Sequence, residues 1–121
     1  MQVVWVEIPV KDLDRASTFY QTVFNLQPTE IGDDGVRRTT TLANTNEGQP
    51  GISLNQTQNF EPSNKGALVY LDTGGDLPGH LDRVEAAGGK VIEPKTAMGD
   101  AGSYATIEDT EGNLLALYTY P

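Results

Sequence analysis

The fold is decided by residues 3–24, which read VVWVEIPVKDLDRASTFYQTVF. The first eight of these residues are rich in β-branched side chains and are interrupted by Pro9, which is typical of a short strand. Asp12 has the position of a helix N-cap, and apolar residues then recur at three- and four-residue steps. This stripe consists of Leu13, Ala16, Phe19, Tyr20, Val23 and Phe24. The sequence therefore predicts a strand followed by an amphipathic helix that ends before Pro28.

The same order of signals occurs twice along the chain. After the helix, β-favouring runs predict three strands, at residues 28–32, 36–44 and 51–57. Turn-forming residues separate them, at Asp33-Asp34-Gly35 and over residues 44–50. The second half then predicts a strand at 66–73, a helix capped by Asp76 and stopped at Gly88-Gly89, and strands at 90–95, 103–108 and 113–120.

This internal repeat predicts one α+β domain made of two β-α-β-β-β halves. The halves cover about residues 1–58 and 66–121, and residues 59–65 connect them. Two such units can cover one face of each sheet with a helix and leave the other faces as a concave cup. A cup of this kind is a natural small-molecule site.

Composition narrows the classes of protein that the chain can belong to. The 121 residues carry a net charge of −9, which disfavours a nucleic-acid partner. There is no cysteine and the only histidine is His80, so a disulfide scaffold, a thiolate zinc site and a multi-histidine site within one chain are excluded. No stretch approaches the roughly 18 apolar residues of a membrane span, and residues 1–7 lack a basic region followed by an apolar run. We expect a cytoplasmic protein that has no membrane partner.

Several runs resemble the vicinal oxygen chelate superfamily, which includes glyoxalase I, bleomycin-resistance proteins and extradiol dioxygenases. The run EIPVKDLDRASTFY at residues 7–20 resembles the opening strand and helix of that family. In the second half, VEAAGGKV at 84–91 and DTEGN at 109–113 resemble its later motifs, where the family often has Asp-Pro-x-Gly-Asn. The resemblance covers almost the whole chain and implies the family's cup-shaped fold, but this fold carries many chemistries.

The resemblance also implies where a divalent metal would bind. In the family, four His or Glu side chains usually hold the ion, one on the first and one on the last strand of each half. Carried onto this sequence, the four positions fall on Glu7, Ser53, Leu68 and Ala116. Only Glu7 is a usual ligand, whereas a hard cation typically needs three or more carboxylates or imidazoles. We therefore expect no metal and no other cofactor, and a divalent metal is disfavoured.

Strand alternation predicts which side chains share the concave face with Glu7. Trp5 lies two residues before Glu7 on the same strand, so the two side chains share a face. On the other strands, residues two positions away from Ser53, Leu68 and Ala116 share the face of those residues in the same way. Aromatic walls around a few polar groups are the usual lining of a ligand site. A carboxylate beside aromatic rings suits a cationic or amine-bearing ligand. The predicted ligand-binding residues are Trp5, Glu7, Ser53, Asn55, Tyr70 and Tyr118.

Other positions have simpler interpretations. Glu7 could be solvated or pair with Arg37 or Arg38, and the aromatic residues could pack the sheet or a dimer contact. His80 is predicted to be a solvated residue of the second helix. Three acidic residues at and just before a predicted turn are expected to be solvated surface: Glu108, Asp109 and Glu111.

Two function classes remain open from the sequence. The first is a protein that binds a small molecule, and the second is a small-metabolite lyase, isomerase or dioxygenase-type enzyme, with Glu7 as a general base or with a metal. Binding is favoured, because Glu7 is the only residue of the sequence that matches those an enzymatic mechanism of this family would need. A homodimer is expected, since open strand edges and an exposed aromatic concavity favour association, and short-chain relatives build each site from two partners.

Overall fold

Two β-α-β-β-β units follow one another in the computed structural model, which describes residues 1–42 and 48–121. The first unit contains β1 (Trp5–Pro9), α1 (Leu13–Phe24), β2 (Gly32–Asp33), β3 (Arg37–Thr41) and β4 (Gly51–Thr57). The second contains β5 (Tyr70–Asp72), α2 (Leu77–Ala86), β6 (Lys90–Ala97), a short 3-10 turn (Gly99–Ala101), β7 (Ser103–Glu108) and β8 (Leu114–Thr119). The predicted α+β class and the repeated element order are confirmed.

Each unit forms its own mixed four-stranded sheet, in the orders β1-β4-β3-β2 and β5-β8-β7-β6. The first strand of each unit pairs in parallel with the last, and the other neighbours are antiparallel. Both sheets are open, so that β1 and β5 each leave one edge without a ladder partner in the described part of the chain.

The strand boundaries differ from the predictions in both halves. In the second half, the predicted strand at 66–73 is reduced to β5. The predicted strand at 28–32 is reduced to β2, and Asp33 belongs to that strand rather than to a turn. The reason is that Thr29 contacts β3 through its side chain, donating a hydrogen bond to the carbonyl of Thr41 at 2.6 Å, instead of through a backbone ladder. β3 ends at Thr41, and residues 43–47, which include parts of a predicted strand and turn, lie outside the described residues.

The two helices cover one face of the sheets and contact each other. Asp12 caps α1 as predicted, because its carboxylate accepts a hydrogen bond from the Arg15 N–H at 3.1 Å. Phe19 packs edge-on against Tyr20, with ring centroids 5.1 Å apart, and a Cβ at Gly89 would lie only 2.6 Å from the Phe19 ring. The glycine that stops α2 is therefore also required for close packing on α1. Neither helix in the described part of the chain is long and apolar enough to cross a membrane.

The turn between β7 and β8 fastens the second half to the first. Glu111 accepts hydrogen bonds from the backbone N–H groups of Lys11 and Asp12, both at 2.9 Å, which are at the N-terminus of α1. Its carboxylate also forms an ion pair with Arg15 at 2.8 Å. A carboxylate at this position satisfies N–H groups that have no partner within the helix and interacts favourably with the helix dipole.

Two more residues of this turn extend the connection. Asp109 accepts a hydrogen bond from the Tyr20 hydroxyl at 2.6 Å and from the side chain of Asn113 at 3.0 Å. The same Asn113 amide donates to the carbonyl of Pro9 at 2.8 Å, at the end of β1. We call the turn Asp109–Asn113 the inter-half clamp, because it holds both β1 and α1.

The prediction that these acidic residues form solvated surface is therefore wrong. Asp109 is 4% exposed and Glu111 is 5% exposed, while Glu108 is half-buried. Burial by itself raises the pKa of the Glu111 carboxyl, but the hydrogen bonds outweigh it. Among the groups that lower the pKa, the Arg15 side chain contributes most, and the net result is a pKa lowered from 4.5 to about 2.

His80 is also not the solvated residue that was predicted. It is 9% exposed, and its ring packs edge-on against Phe24 with centroids 5.3 Å apart. The reason is that α1 and α2 pack against each other, which the helical period of α2 alone does not reveal.

We predict that Glu111→Gln lowers the free energy of unfolding at pH 7 by about 1 to 3 kcal/mol, because the buried carboxylate loses its charge-assisted hydrogen bonds with Arg15, whose own side chain is half exposed. The pKa of Glu111 is lower in the folded chain than in the unfolded one, so its contribution is complete above about pH 5 and is lost as the pH falls towards 2. The difference between the variant and the wild type should therefore narrow over that range. Urea unfolding followed by circular dichroism at several pH values measures it, with Glu85→Gln on the exposed face of α2 as the control. A difference that stays constant from pH 7 to pH 3 would contradict this role.

Candidate functional site

An open groove of about 810 Å³ lies between the unpaired edges of the two sheets. β1 forms one side, and residues 67–71 and 113–115 form the other. Trp5, Glu7 and Tyr70, three of the predicted ligand-binding residues, line it. Trp5 is 44% exposed and Tyr70 is 50% exposed, which is unusual for large aromatic side chains that only pack a sheet. We call this space the inter-sheet groove.

Glu7 is held in place from the neighbouring strand. In the parallel ladder of β1 and β4, Glu7 lies opposite Ser53. Asn55, two residues further along β4, donates a hydrogen bond from Nδ2 to Oε2 of Glu7 at 3.2 Å. Asn55 is 2% exposed, and its Oδ1 atom has no hydrogen-bond partner among the described residues. The amide therefore fixes the carboxylate and still has an acceptor atom available.

Trp5 is fixed in the same way. Its indole N–H donates a hydrogen bond to the Ser53 hydroxyl at 3.0 Å, and Ser53 is itself 5% exposed. Strand alternation places Trp5 and Glu7 on the same face of β1, about 7 Å apart along the strand. The structure thus brings the four first-half residues of the predicted site together on neighbouring strands as a cluster of two hydrogen-bonded pairs, Trp5 with Ser53 and Glu7 with Asn55.

In the described part of the chain, Glu7 does not form an ion pair with Arg37 or Arg38. Arg37 lies 3.5 Å from Asp34, and Arg38 lies 3.8 Å from Asp14. Glu7 is bonded by a neutral amide instead, so its negative charge is available to a ligand.

The two second-half residues of the predicted site lie on neighbouring strands. Tyr70 pairs with Ala116, and Tyr118 follows two residues later on β8. The Tyr118 hydroxyl donates to the carbonyl of Ala101, and its ring packs against Tyr120 with centroids 4.8 Å apart. Tyr118 is not among the residues that line the groove.

Sequence reasoning missed Tyr104 beside Tyr70. Their ring centroids are 6.2 Å apart, and the Tyr104 hydroxyl donates to Glu93 at 3.0 Å. This hydrogen bond, together with burial, raises the pKa of Tyr104. Alternation along β7 could have placed Tyr104 on this face, because it lies opposite Tyr118 in the β7–β8 ladder.

The ladders show that two of the four positions that the family resemblance implied for a metal, Glu7 and Leu68, are not equivalent. The Val10 N–H donates to the Asn55 carbonyl at 3.1 Å, and the Thr73 N–H donates to the Tyr118 carbonyl at 2.9 Å, which aligns the two halves. Glu7 opposite Ser53 in the first half then corresponds to Tyr70 opposite Ala116 in the second. By the same alignment, Leu68 corresponds to Trp5. The short strand β5 has no sequence feature that marks its register.

The donor set at these positions does not fit a divalent cation. Glu7, Ser53, Tyr70 and Ala116 offer one carboxylate, one aliphatic hydroxyl, one phenol and one methyl group. Across residues 1–42 and 48–121, no group of three or more His, Asp or Glu side chains is placed to hold a metal ion. A chelating metal needs more carboxylate or imidazole ligands than this site supplies.

Comparison with known proteins identifies the family. The sequence matches the family model of the Glyoxalase/Bleomycin resistance protein/Dioxygenase superfamily over residues 2–117. The chain belongs to this superfamily. The sequence-based resemblance is therefore confirmed. No curated protein matches the sequence.

Solved structures of the superfamily share the fold. A glyoxalase-related enzyme from Fulvimarina pelagi is similar, with a TM-score of 0.74 and 17% identity over 100% of this chain and 89% of that one. A family enzyme from Burkholderia phytofirmans PsJN gives a TM-score of 0.69 and 22% identity over 100% of both chains. A glyoxalase I mutant from Zea mays gives 0.76 and 22% identity over 96% of this chain and 46% of its own, so the chain spans about half of the maize protein. At these identities the likeness shows the fold and not the activity.

We predict that the purified protein retains no stoichiometric metal, because three of the four equivalent positions lack a metal-binding side chain of the usual kind. After dialysis, elemental analysis should find far less than one zinc, nickel, iron or manganese per chain. About one metal ion per chain that is retained in the wild type and lost in Glu7→Ala would contradict this prediction and would show that Glu7 is a metal ligand.

Proposed function

We propose that this member of the superfamily binds a small cationic molecule that carries an aromatic or alkyl-ammonium group, in the inter-sheet groove. The observation that carries the proposal is the arrangement of Glu7. Its carboxylate is held by the buried Asn55 amide and lies on the same strand face as the Trp5 indole, which Ser53 fixes.

The chemistry of this arrangement favours a cation. A carboxylate supplies an ion-pair partner, and an indole ring supplies a cation–π surface, which together attract an ammonium group more strongly than either does alone. The exposed ring of Tyr70 supplies a second aromatic wall across the groove. The net charge of −9 adds a long-range attraction for cationic compounds.

The site is also organised before a ligand arrives. Trp5 and Glu7 are each restrained by a hydrogen bond to a buried side chain of β4. Less conformational entropy is then lost on binding, which raises the affinity that a given set of contacts can produce.

Binding is favoured over the family's metal-dependent catalysis because of the donor set. The superfamily's own description includes both resistance proteins and enzymes, so membership by itself leaves both open. Among the described residues, the groove is lined by two carboxylates, Glu7 and Glu61, and by one ammonium group, Lys65. A carboxylate beside aromatic rings can hold a cation, whereas two carboxylates do not supply the several ligands that a catalytic divalent ion needs.

A homodimer follows from the same groove. Its two sides are the unpaired edges of the sheets, and four exposed apolar side chains line it: Val3, Trp5, Leu68 and Tyr70. Open edges and clustered exposed apolar surface favour association. Pairing of two copies around a two-fold axis would cover these edges and complete the walls of each groove.

We predict that phenyltrimethylammonium binds more tightly than its neutral isostere tert-butylbenzene. Trp5 is the only tryptophan, so its fluorescence reports occupancy of the groove directly. Glu7→Gln should weaken binding of the cation about fivefold to tenfold and leave the neutral compound unaffected, because the variant removes the charge and keeps the shape. Glu85→Gln, which makes the same charge change on exposed α2, is the matched control. Equal binding of the two compounds to the wild type would contradict a cation site.

We also predict that the chain is a homodimer at micromolar concentration. Multi-angle light scattering should give about twice the chain mass of 13.1 kDa, and cation affinity should fall on dilution as the dimer dissociates. Leu68→Glu places a charge on the proposed contact and should shift the equilibrium to monomers, whereas Glu85→Gln should not. A mass of 13.1 kDa for the wild type at micromolar concentration would refute the dimer.

A further inference from the structure

A second cavity, of about 440 Å³, lies between the two halves. It is bounded by the end of α1, by α2 and by residues of β4 and β5, and it has Ile52 and Leu71 in common with the inter-sheet groove. Most of its wall is apolar: Phe24, Leu26, Leu42, Ile52 and Leu71. Its volume is within the range of small-molecule sites, and an apolar lining with few polar groups is typical of such sites.

Most polar groups in the wall of this cavity are already committed to protein partners. The Tyr20 hydroxyl donates to Asp109 at 2.6 Å, and burial together with that carboxylate raises its pKa well above the ordinary value. The Thr73 hydroxyl donates to the carbonyl of Tyr118 at 2.9 Å. Asp72 accepts a hydrogen bond from the Gly74 N–H at 3.0 Å and is exposed to solvent. These groups therefore do not select a ligand for the apolar part of the cavity.

His80 is the exception. Its Nδ1 atom lies 2.7 Å from the carbonyl oxygen of Asp76, one turn earlier in the same helix. The Nη2 atom of Arg83, which can only donate, lies 3.1 Å from the same Nδ1 atom. Both contacts of the ring with protein groups are therefore made by Nδ1, and Nε2 has no hydrogen-bond partner among the described residues. The ring is held edge-on against Phe24, which lines the same cavity.

From this arrangement we infer that the cavity is a binding site for an apolar small molecule with a single hydroxyl group, such as an alkylphenol or an alkanol. The apolar walls accept the hydrocarbon part, and the hydroxyl, which can either donate or accept, forms a hydrogen bond with Nε2 of His80. A charged ligand is disfavoured, because the apolar walls offer no compensation for its lost hydration. This site does not depend on the proposed cation site in the groove.

The chain provides a separate reporter for each site, since it has one histidine and one tryptophan. We would titrate protein labelled with ¹⁵N-histidine and ¹⁵N-tryptophan with 4-ethylphenol and, as the matched compound without a hydroxyl, with ethylbenzene. The Nε2 resonance of His80 should shift saturably with 4-ethylphenol, while the indole resonance of Trp5 should change little. Ethylbenzene should bind about fivefold more weakly, which is the effect expected for loss of one hydrogen bond.

Two variants test the two parts of the inference by calorimetry. His80→Phe keeps a ring against Phe24 and removes the hydrogen-bonding nitrogen, so 4-ethylphenol and ethylbenzene should bind it equally. Leu26→Trp enlarges a half-buried wall residue and should abolish binding of both compounds. Circular dichroism checks that each variant is folded, and Leu26→Phe replaces Leu26→Trp if that variant is not.

Three results would overturn the inference. The first is that neither compound shifts the His80 resonance of the folded wild type up to its solubility limit. The second is that both compounds bind the wild type with equal affinity. The third is that 4-ethylphenol shifts Trp5 and not His80, which would place its binding in the groove.

Discussion

The inter-half clamp is the interaction on which the rest of the structure depends. Each half buries one sheet face under a single helix, which leaves the relative position of the halves to be set by contacts between them. Glu111 supplies that contact by accepting the N–H groups of Lys11 and Asp12 and by pairing with Arg15, while Asn113 binds the carbonyl of Pro9. A fully buried carboxylate is costly unless all its acceptor sites are used, so this geometry tolerates little displacement.

The position of the groove follows from this connection. β1 is fixed at its end by the clamp and along its length by the ladder with β4, and Glu7 and Trp5 lie between these two restraints. The buried residues Ser53 and Asn55 then restrain the two side chains individually. The cluster is thus supported by rigid strands rather than by loops, which is the arrangement that maintains a binding geometry with the least loss of entropy.

The candidate site was predictable where it depends on one strand and its direct neighbour. Alternation along β1 was sufficient to place Trp5 with Glu7, and the parity of β4 placed Ser53 with Asn55. The sequence did not decide which second-half residue is equivalent to Glu7, because β5 has three residues and its register is set by pairing with β8. It also included Tyr118, which lies on the strand next to Tyr70 but does not line the groove, since parity gives the face of a sheet and not the extent of a pocket.

The sequence by itself determined the α+β class, the repeated order of elements, the caps at Asp12 and Asp76, and the shortage of metal ligands. These properties depend on local periodicity, on turn chemistry and on residue identity, all of which act over a few positions. Only the tertiary structure decided that Asp109, Glu111 and His80 are buried, and that two cavities form between the halves. Burial of a polar side chain depends on partners that are distant in the chain, such as Tyr20 and Asp109, which are 89 positions apart. No local pattern encodes such a contact, because its free energy arises only when the two halves pack together.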